Sequence, residues 1–283
     1  MMIDKPLPDT DAWVLSLAAA ELPVLRRTAE TLDAMRDDRD NINARSLAFT
    51  ILQDPLLTLR VFACLAERRR KSQHTDITTL EQALMMMGIG PFFETFQQLP
   101  LVEDHLKSSP KSLLGLLRVV NRARHASQWA RDWAIHRHDL NADEITIAAL
   151  LHDIAEMLMW CFAPQLALRV DDMKAADPQL RSSSAQVGVF GITLLDLQQA
   201  LIHYWGLPEL LAMLMDHTRA SNPRIRNVSL AVDLARHSAN GWHDAAIPDD
   251  LTGIQELLRI GPELLPRHLG VAPETIAHLV TPT

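Results

Sequence analysis

The amino-acid sequence predicts an all-α protein, built as a two-lobed helical bundle. Apolar residues recur with the helical period along nearly the whole chain, as in LRRTAETLDAMRDD after Pro23. Glycine is scarce at 10 residues, and most of the 16 prolines fall between the periodic stretches, where a proline starts or ends a helix without interrupting it. No stretch shows a convincing strand pattern. We therefore expect helices throughout.

The first helices are predicted to form an N-terminal lobe over residues 1–108. The helical pattern continues through NINARSLAFTILQ. A new helix is predicted to begin at Asp54 and Pro55 and to run through LLTLRVFACLAERRRK. Thr78 and Glu81 have the spacing of a capping box before QALMMM, and Gly88 is placed to end that helix.

A second helical lobe is expected over residues 109–240, beginning with a long helix over residues 111–138. Pro164 is predicted to open a shorter helix, and Ser184 to cap a segment that runs through FGITLLDLQQALIHYWG to a stop at Gly206. LPELLAMLMDHT and a helix after Pro223 follow. Residues 241–283 are expected to form a tail of short helices packed on the second lobe.

The helix after the long one is the most informative segment. Asn141 and Glu144 are predicted to cap it, and from residue 145 to 160 it is apolar almost all round, yet it carries His152 and Asp153 at its middle. A buried imidazole and carboxylate need partners, because an unpaired buried polar group costs about 2–7 kcal/mol. Side chains of neighbouring helices, an ordered water or a metal ion are the candidates.

Composition excludes several classes of function. The formal charge of −8 and the pI near 5.8 argue against general binding to nucleic acid or to an anionic membrane, since both need a basic field. Cys64 and Cys161 are far apart, so neither a disulfide framework nor a zinc-thiolate site is expected. The start MMIDKPLPDTD does not resemble a signal peptide, and we expect no stretch that could span a membrane. A cytoplasmic protein is predicted, and its oligomeric state stays open.

Four residues share an order that suggests a metal site. His125, the adjacent His152 and Asp153, and the distant Asp233 fall on three predicted helices, and a helical bundle can bring such residues to one point. The order resembles that of the HD superfamily of metal-dependent phosphohydrolases. Two imidazoles and two carboxylates suit one divalent ion, of manganese, iron, zinc or magnesium.

The resemblance extends to one branch, the HDOD domain. ELPVLRR, LQDPLLTLRVF and ITTLEQALMMMGIGPF resemble its first half, and AALLHDIAEML and FGITLLDLQQALIHYWGLPELL resemble its second half. The resemblance implies an all-helical fold with an HD-like second lobe. It also implies a non-catalytic module of bacterial signalling that binds a signalling protein or a small regulatory ligand.

The departures from the hydrolytic pattern point the same way. Where hydrolytic relatives read HDIGK, this chain has Ala155 and Glu156, and a carboxylate repels phosphate where a lysine would attract it. Leu194 takes the place of a further metal-binding histidine of the HD-GYP branch, so a second metal is not expected. His217 is either a substitute ligand or a helix-end histidine stabilised by the helix dipole.

The alternative function is a single-metal phosphohydrolase that acts on a nucleotide or another phosphate ester. Its ligands would be the four residues above, a metal-bound water would be the nucleophile, and Asp153 would position that water as the one catalytic side chain. Retention of all four residues favours this alternative.

All four residues also fit a purely structural role. His152 and Asp153 could hydrogen-bond to neighbouring helices and hold the core in register. His125 precedes Trp129 and Trp133 at helical spacing, which is typical of a half-buried histidine packed among indoles. Asp233 lies four residues before His237 and could form a surface pair with it.

Overall fold

A computed structural model describes residues 2–38, 41–69, 77–177, 179–216, 218 and 221–280. Their regular structure is helical, apart from one isolated parallel bridge between Val24 and Leu101. The all-α prediction is confirmed. His217 lies outside the described residues, as do residues 70–76, which include the last residues of the predicted run LLTLRVFACLAERRRK.

The chain groups into two compact units, each described here by itself. The first unit contains Met1–Val120 and Asp153–Pro208, and the second contains Asn121–His152 and Glu209–Thr283. This grouping differs from the expected division at residues 108 and 240, because residues 109–120 and 153–208 belong with the N-terminal helices. The change of unit falls inside the long helix and again between His152 and Asp153.

In the described part of the first unit there are eleven complete helices and the start of the long helix α8. These are α1 (Thr10–Ala18), α2 (Arg26–Asp37), α3 (Ala44–Ile51), α4 (Pro55–Arg69), α5 (Leu80–Met87), α6 (Ile89–Thr95), α7 (Val102–His105), α8 (Pro110–His136), α10 (Ile154–Phe162), α11 (Pro164–Ala176), α12 (Ser182–Phe190) and α13 (Leu194–Trp205).

The second unit takes the remainder of α8 and the other helices. These are α9 (Ala142–Leu151), α14 (Glu209–Leu214), α15 (Pro223–His237), α16 (Ile247–Leu258), α17 (Leu265–Leu269) and α18 (Pro273–Val280), with short 3₁₀ turns at Ser238–Asn240 and Pro262–Leu264. Helix α15 packs against α16, α9 and α14.

The first turns of α2 and α4 share one buried acid. Asp54 is fully buried, and its carboxylate accepts hydrogen bonds from the backbone N–H groups of Leu25, Leu56 and Leu57 and from the hydroxyl of Thr28. Free N–H groups at a helix start must find acceptors. The Asp54–Pro55 restart expected from the sequence therefore fixes two helices at once.

Buried aromatic side chains hold the N-terminal helix in the first unit. Trp13 is completely buried, its indole N–H donates to the Phe190 carbonyl at 3.2 Å, and the two rings meet edge to face at 6.1 Å. A buried indole needs such an acceptor for its polar edge. The contact ties α1 to the end of α12.

Stops predicted at glycine are confirmed, but one cap is wrong by a residue. Gly88 and Gly206 adopt positive φ angles of 83° and 63° directly after α5 and α13. The capping side chain of α5 is Thr79, which accepts from the Gln82 N–H, so Thr78 and Glu81 are not the capping pair. Gln82 completes the cap, because its side-chain oxygen accepts from the Thr78 N–H.

The segment predicted to be capped by Ser184 is two helices. Helix α12 begins at Ser182 without a side-chain cap, Gly191 ends it in the left-handed region, and Thr193 caps α13 by accepting from the Asp196 N–H. The glycine between two apolar runs was the local signal for this break. The prediction of one continuous segment is therefore wrong.

The helix expected over residues 145–160 is also divided. Helix α9 ends at Leu151, His152 and Asp153 form a turn, and α10 begins at Ile154. A continuous helix would bond the Ala155 N–H to the Leu151 carbonyl, but this N–H donates to the side-chain oxygen of Gln198 at 2.8 Å. The Gln198 side chain of α13 thus accepts from the N–H group that a continuous helix would bond to the Leu151 carbonyl.

The stretch Ala142–Phe162 corrects the expectation that no segment could span a membrane. By length and composition it qualifies, with a mean hydropathy of 1.5. Within the protein, however, 89% of the qualifying window is buried. Apolar residues on all sides of a helix are equally typical of the core of a soluble protein, and this burial indicates such a core helix.

Candidate functional site

The turn between α9 and α10 places His152 and Asp153 at the edge of a buried segment. Asp153 is 9% exposed and His152 is half-buried. Asp153 has the position of a helix cap, but its side chain makes no capping bond to α10. Gln198 serves the helix start in its place, so the Asp153 carboxylate is not used for capping.

His125 is the exposed end of a row of aromatic rings on α8 that runs through half-buried Trp129 to fully buried Trp133. Its ring is exposed and lies 6.0 Å from that of Trp129, which stacks on Trp133 at 6.4 Å with the planes 5° apart. The two indole N–H groups donate to the carbonyls of Leu269 and His268, at 3.0 and 3.3 Å. His125 therefore packs beside one indole, that of Trp129, and is more exposed than the half-buried histidine that the structural alternative expects.

Asp233 is bound by a cation of its own helix. Its carboxylate lies 3.5 Å from the guanidinium of Arg236, and its side chain is 35% exposed. The predicted surface pair with His237 is wrong, because His237 instead hydrogen-bonds Asp250 at 2.6 Å. Burial raises the pKa of Asp250, nearby Asp233 and Asp244 add to the rise, and the bond to His237 opposes it.

The four candidate ligands are divided between the two units, with Asp153 in the first unit and the other three in the second. Across the described ranges, no group of three or more His, Cys, Asp or Glu side chains could hold a metal ion. His152 and Asp153 are brought together by their adjacency in the chain, whereas His125 and Asp233 have the other partners given above. The four-residue metal site stays a prediction.

Glu156 lies near both acidic and basic side chains. Glu156 is half-buried on α10, and the pKa of Asp171 on α11 is raised by burial and by the nearby charge of Glu156. Lys174 and Arg118 lie close enough to oppose that rise. Burial is the larger cause of the shift, and repulsion between the two carboxylates adds to it. Glu156 therefore lies near a second carboxylate, with two cations also close.

A buried ion-pair cluster in the second unit was not predicted. Arg224, at the start of α15, pairs with Asp139 at 3.1 Å and with Glu144 at 2.7 Å, and it donates to the Asn141 carbonyl. Glu144 therefore does not form the capping box expected with Asn141. The partners lie about 80 residues apart in the chain, and no local pattern predicts such a pair.

A cavity in the first unit was also missed. The α2 cavity has a volume of about 230 Å³ and lies between α2 and residues 96–101. The residues that line it are Arg26, Ala29, Glu30, Leu32, Asp33, Arg36, Phe96, Gln97, Gln98, Leu99 and Leu101. The recurrence of charged residues at helical spacing on α2 was the available signal, but it equally fits a solvated helix face.

Comparison with known proteins agrees with the helical architecture. A family model described as "HDOD domain" matches residues 22–221. The fold is similar to that of the MmoQ response regulator from Methylococcus capsulatus, at 14% identity and a TM-score of 0.62 over 93% of this chain and 99% of that one. It is also similar to a virulence factor from Campylobacter jejuni, at 17% identity and a TM-score of 0.65 over 97% of both chains. No curated protein matches the sequence significantly.

Proposed function

The chain belongs to the HDOD domain family, and from this premise we propose that it is a non-catalytic signalling module that binds a partner protein or a small regulatory ligand. A structural relative named as a response regulator supports the signalling context. We place the protein in the bacterial cytoplasm, without nucleic-acid or membrane partners, in keeping with its acidic charge.

The observation that carries the non-catalytic part is the ion pair between Asp233 and Arg236. A metal ligand must offer its carboxylate to the ion, and here a guanidinium lies 3.5 Å from that carboxylate. At 3.5 Å, between side chains that are 42% and 35% exposed, Arg236 competes with a metal ion for this carboxylate. Glu156 adds a second obstacle, because its carboxylate disfavours an anionic substrate.

The alternative is a single-metal phosphohydrolase, and one observation favours it. His152 and Asp153 lie in a turn between two helices, where their side chains are not confined to a helical face. Two imidazoles and two carboxylates remain a suitable donor set for manganese, iron, zinc or magnesium. No group of three such donors is found among the described residues, so no hydrolytic step is derived.

Metal content separates the two functions. We would measure it by elemental analysis after loading with manganese, iron or zinc, in the wild type and in the double variant His152→Ala with Asp153→Ala. Hydrolysis of p-nitrophenyl phosphate would be followed in the same samples. The signalling-module proposal expects no stoichiometric metal and no turnover in either protein.

Arg236→Gln is the informative companion variant, because it frees the Asp233 carboxylate without changing the candidate ligands. Turnover by the wild type that disappears in the double variant would overturn the proposal. Stoichiometric metal and turnover that appear only in Arg236→Gln would support it, since they would identify the ion pair as the feature that prevents metal binding.

A further inference from the structure

Helix α17 covers two indole rings of α8 in the second unit. The indole N–H of Trp129 donates to the carbonyl of Leu269, and that of Trp133 donates to the carbonyl of His268. These two carbonyls belong to the last two residues of α17. Trp133 is 0% exposed and Trp129 is half-buried. The polar edge of each indole therefore depends on α17 for its hydrogen-bond acceptor.

Helix α17 is too short to hold its position alone. It has five residues, and isolated helices shorter than about 12–15 residues are marginal in water. Leu265 and Leu269 are its buried side chains, a 3₁₀ turn precedes it, and Gly270 ends it in the left-handed region. Short segments at a domain surface open locally at a lower free energy than the whole domain unfolds. The contact with α8 therefore determines whether α17 stays in place.

A pair of histidines lies in this same contact. The ring of His136 on α8 meets the ring of His268 on α17 at 4.5 Å between their centres, with the planes 72° apart. His136 is exposed and His268 is half-buried, so protons from the solvent reach the pair. Two imidazolium charges at this separation would repel each other by about 1–4 kcal/mol, for effective dielectric constants of roughly 80 to 20.

The other charges around His268 do not remove this repulsion. Burial, followed by His136 and Arg267, lowers the pKa of His268, and Asp132 on α8 opposes the shift. Asp132 lies one turn before His136 and is exposed. With both rings protonated, these four side chains would carry three positive charges and one negative charge.

The sign of the pKa shift makes acid favour release of α17. A group whose pKa is lower in the docked state binds its proton more tightly after the contact has opened. The equilibrium constant for opening therefore rises as the pH falls through the ordinary histidine pKa of 6.5. The rise reaches tenfold for each unit by which docking lowers the pKa.

We propose that α17 is an acid-released cover of the α8 indoles. Protonation of His136 and His268 weakens the contact between the two helices, and the opened helix α8 exposes Trp129 and Trp133 next to the exposed ring of His125. At neutral pH the cover stays closed. This inference goes beyond the proposed function, because it concerns the condition under which a surface of the module becomes accessible and not what binds there.

Hydrogen exchange of indole N–H groups in the full-length protein tests the proposal. Exchange is followed by NMR in protein labelled with ¹⁵N-tryptophan, at pH 7.5 and at pH 5.5. Trp13 is the internal reference, because it is also 0% exposed and its indole N–H donates to the Phe190 carbonyl of the first unit. The ratio of the two rates removes the intrinsic pH dependence of indole exchange. We expect the ratio of Trp133 to Trp13 to rise about 3- to 10-fold at the lower pH.

Three variants and one control identify the groups responsible. His268→Gln and His136→Gln each remove one titrating ring, and each should reduce the rise to less than about twofold. Leu269→Ala loosens the contact without changing its charge and should speed exchange of Trp133 at both pH values. His203→Gln is the control, because His203 is an exposed histidine of α13 in the first unit, and it should retain the full rise.

A ratio that does not change with pH would overturn the proposal, as would a rise that persists in both histidine variants. Unchanged exchange of Trp133 in Leu269→Ala would also overturn it, since the indole would then open by a route other than release of α17. The proposed function is decided separately, by metal content and turnover.

Discussion

The carboxylate of Asp54 lies 2.7 Å from the backbone nitrogen of Leu25, and through this hydrogen bond the start of α4 holds the start of α2. Burial raises the pKa of Asp54, whereas its four hydrogen-bond donors lower it. The bonds to Leu56 and Leu57 satisfy N–H groups of α4 with the same side chain. One residue therefore does the work of two helix caps.

Replacing Asp54 should be among the most destabilising single changes in the first unit. Asp54→Ala leaves several buried donors without an acceptor, and we expect a loss of about 3–5 kcal/mol in the free energy of unfolding. The matched control is Asp9→Ala, which removes the exposed cap of α1 and should cost about 1 kcal/mol. Urea denaturation measures both, and equal losses would contradict the shared-cap role.

Gly115 permits a close approach between α8 and α10. A Cβ atom built there would lie 2.6 Å from the ring of Trp160, so Gly115→Ala forces the indole to move and should cost about 1–3 kcal/mol. Gly90, in helix α6, has no atom within 4 Å of such a Cβ. Gly90→Ala should therefore be neutral or stabilising by up to about 1 kcal/mol. The thermal unfolding midpoints of the two variants should shift from that of the wild type in opposite directions or by clearly different amounts.

The Arg224 cluster should matter more than a similar pair at the surface. Arg224→Ala leaves the carboxylates of Asp139 and Glu144, which are 16% and 10% exposed, without their cation, and should cost about 2–4 kcal/mol. Arg226→Ala, two residues away, breaks an exposed pair with Glu256 and should cost below about 1 kcal/mol. The denaturant midpoints of the two variants measure these losses of stability. Comparable losses would mean that burial does not determine how much these ion pairs contribute to stability.

The contact between α8 and α17 should make stability depend on pH. Burial, His136 and Arg267 lower the pKa of His268 below 6.5, while Asp132 opposes the shift. The two histidine rings meet at 4.5 Å. The folded state thus favours the neutral ring, and the unfolded state binds more protons between the two pKa values, so stability falls as pH decreases through 6.5.

His268→Gln should reduce the dependence of the free energy of unfolding on pH around pH 6.5. Chemical denaturation between about pH 7.5 and 5, around the unperturbed histidine pKa, measures the slope. His105 retains its own contribution in the variant, because burial lowers its pKa as well. A slope identical to that of the wild type would show that protonation of His268 is not linked to folding.

Local signals predicted the helices well and their capping partners poorly. The stops at Gly88 and Gly206 follow from backbone conformation that glycine itself supplies, so a few residues of sequence were sufficient. The break before Ile154 depends on Gln198, 43 residues away, which takes the N–H of Ala155. No feature of the sequence near His152 indicates this hydrogen bond between Ala155 and Gln198.

The candidate site shows the same limit. Sequence identified residue types suited to a metal, but the direction of each side chain depends on its neighbours in the fold. Asp233 was expected to pair with His237, four residues further along the helix. It pairs instead with Arg236, three residues further along, and His237 hydrogen-bonds Asp250. The α2 cavity depends on how residues 96–101 pass over α2, and helical periodicity does not encode this path.

The apolar stretch Ala142–Phe162 has a consequence for biosynthesis. During translation it is complete before α13 and its Gln198 have been made, so for that interval the nascent chain presents a segment of membrane-spanning length and apolar composition. A carboxylate at the centre of such a segment adds about 2.5–3.5 kcal/mol to the cost of insertion into a bilayer. Asp153 lies near the middle of this stretch. With His152 beside it, Asp153 therefore opposes insertion of this stretch into a bilayer, whether or not the mature protein ever meets a metal.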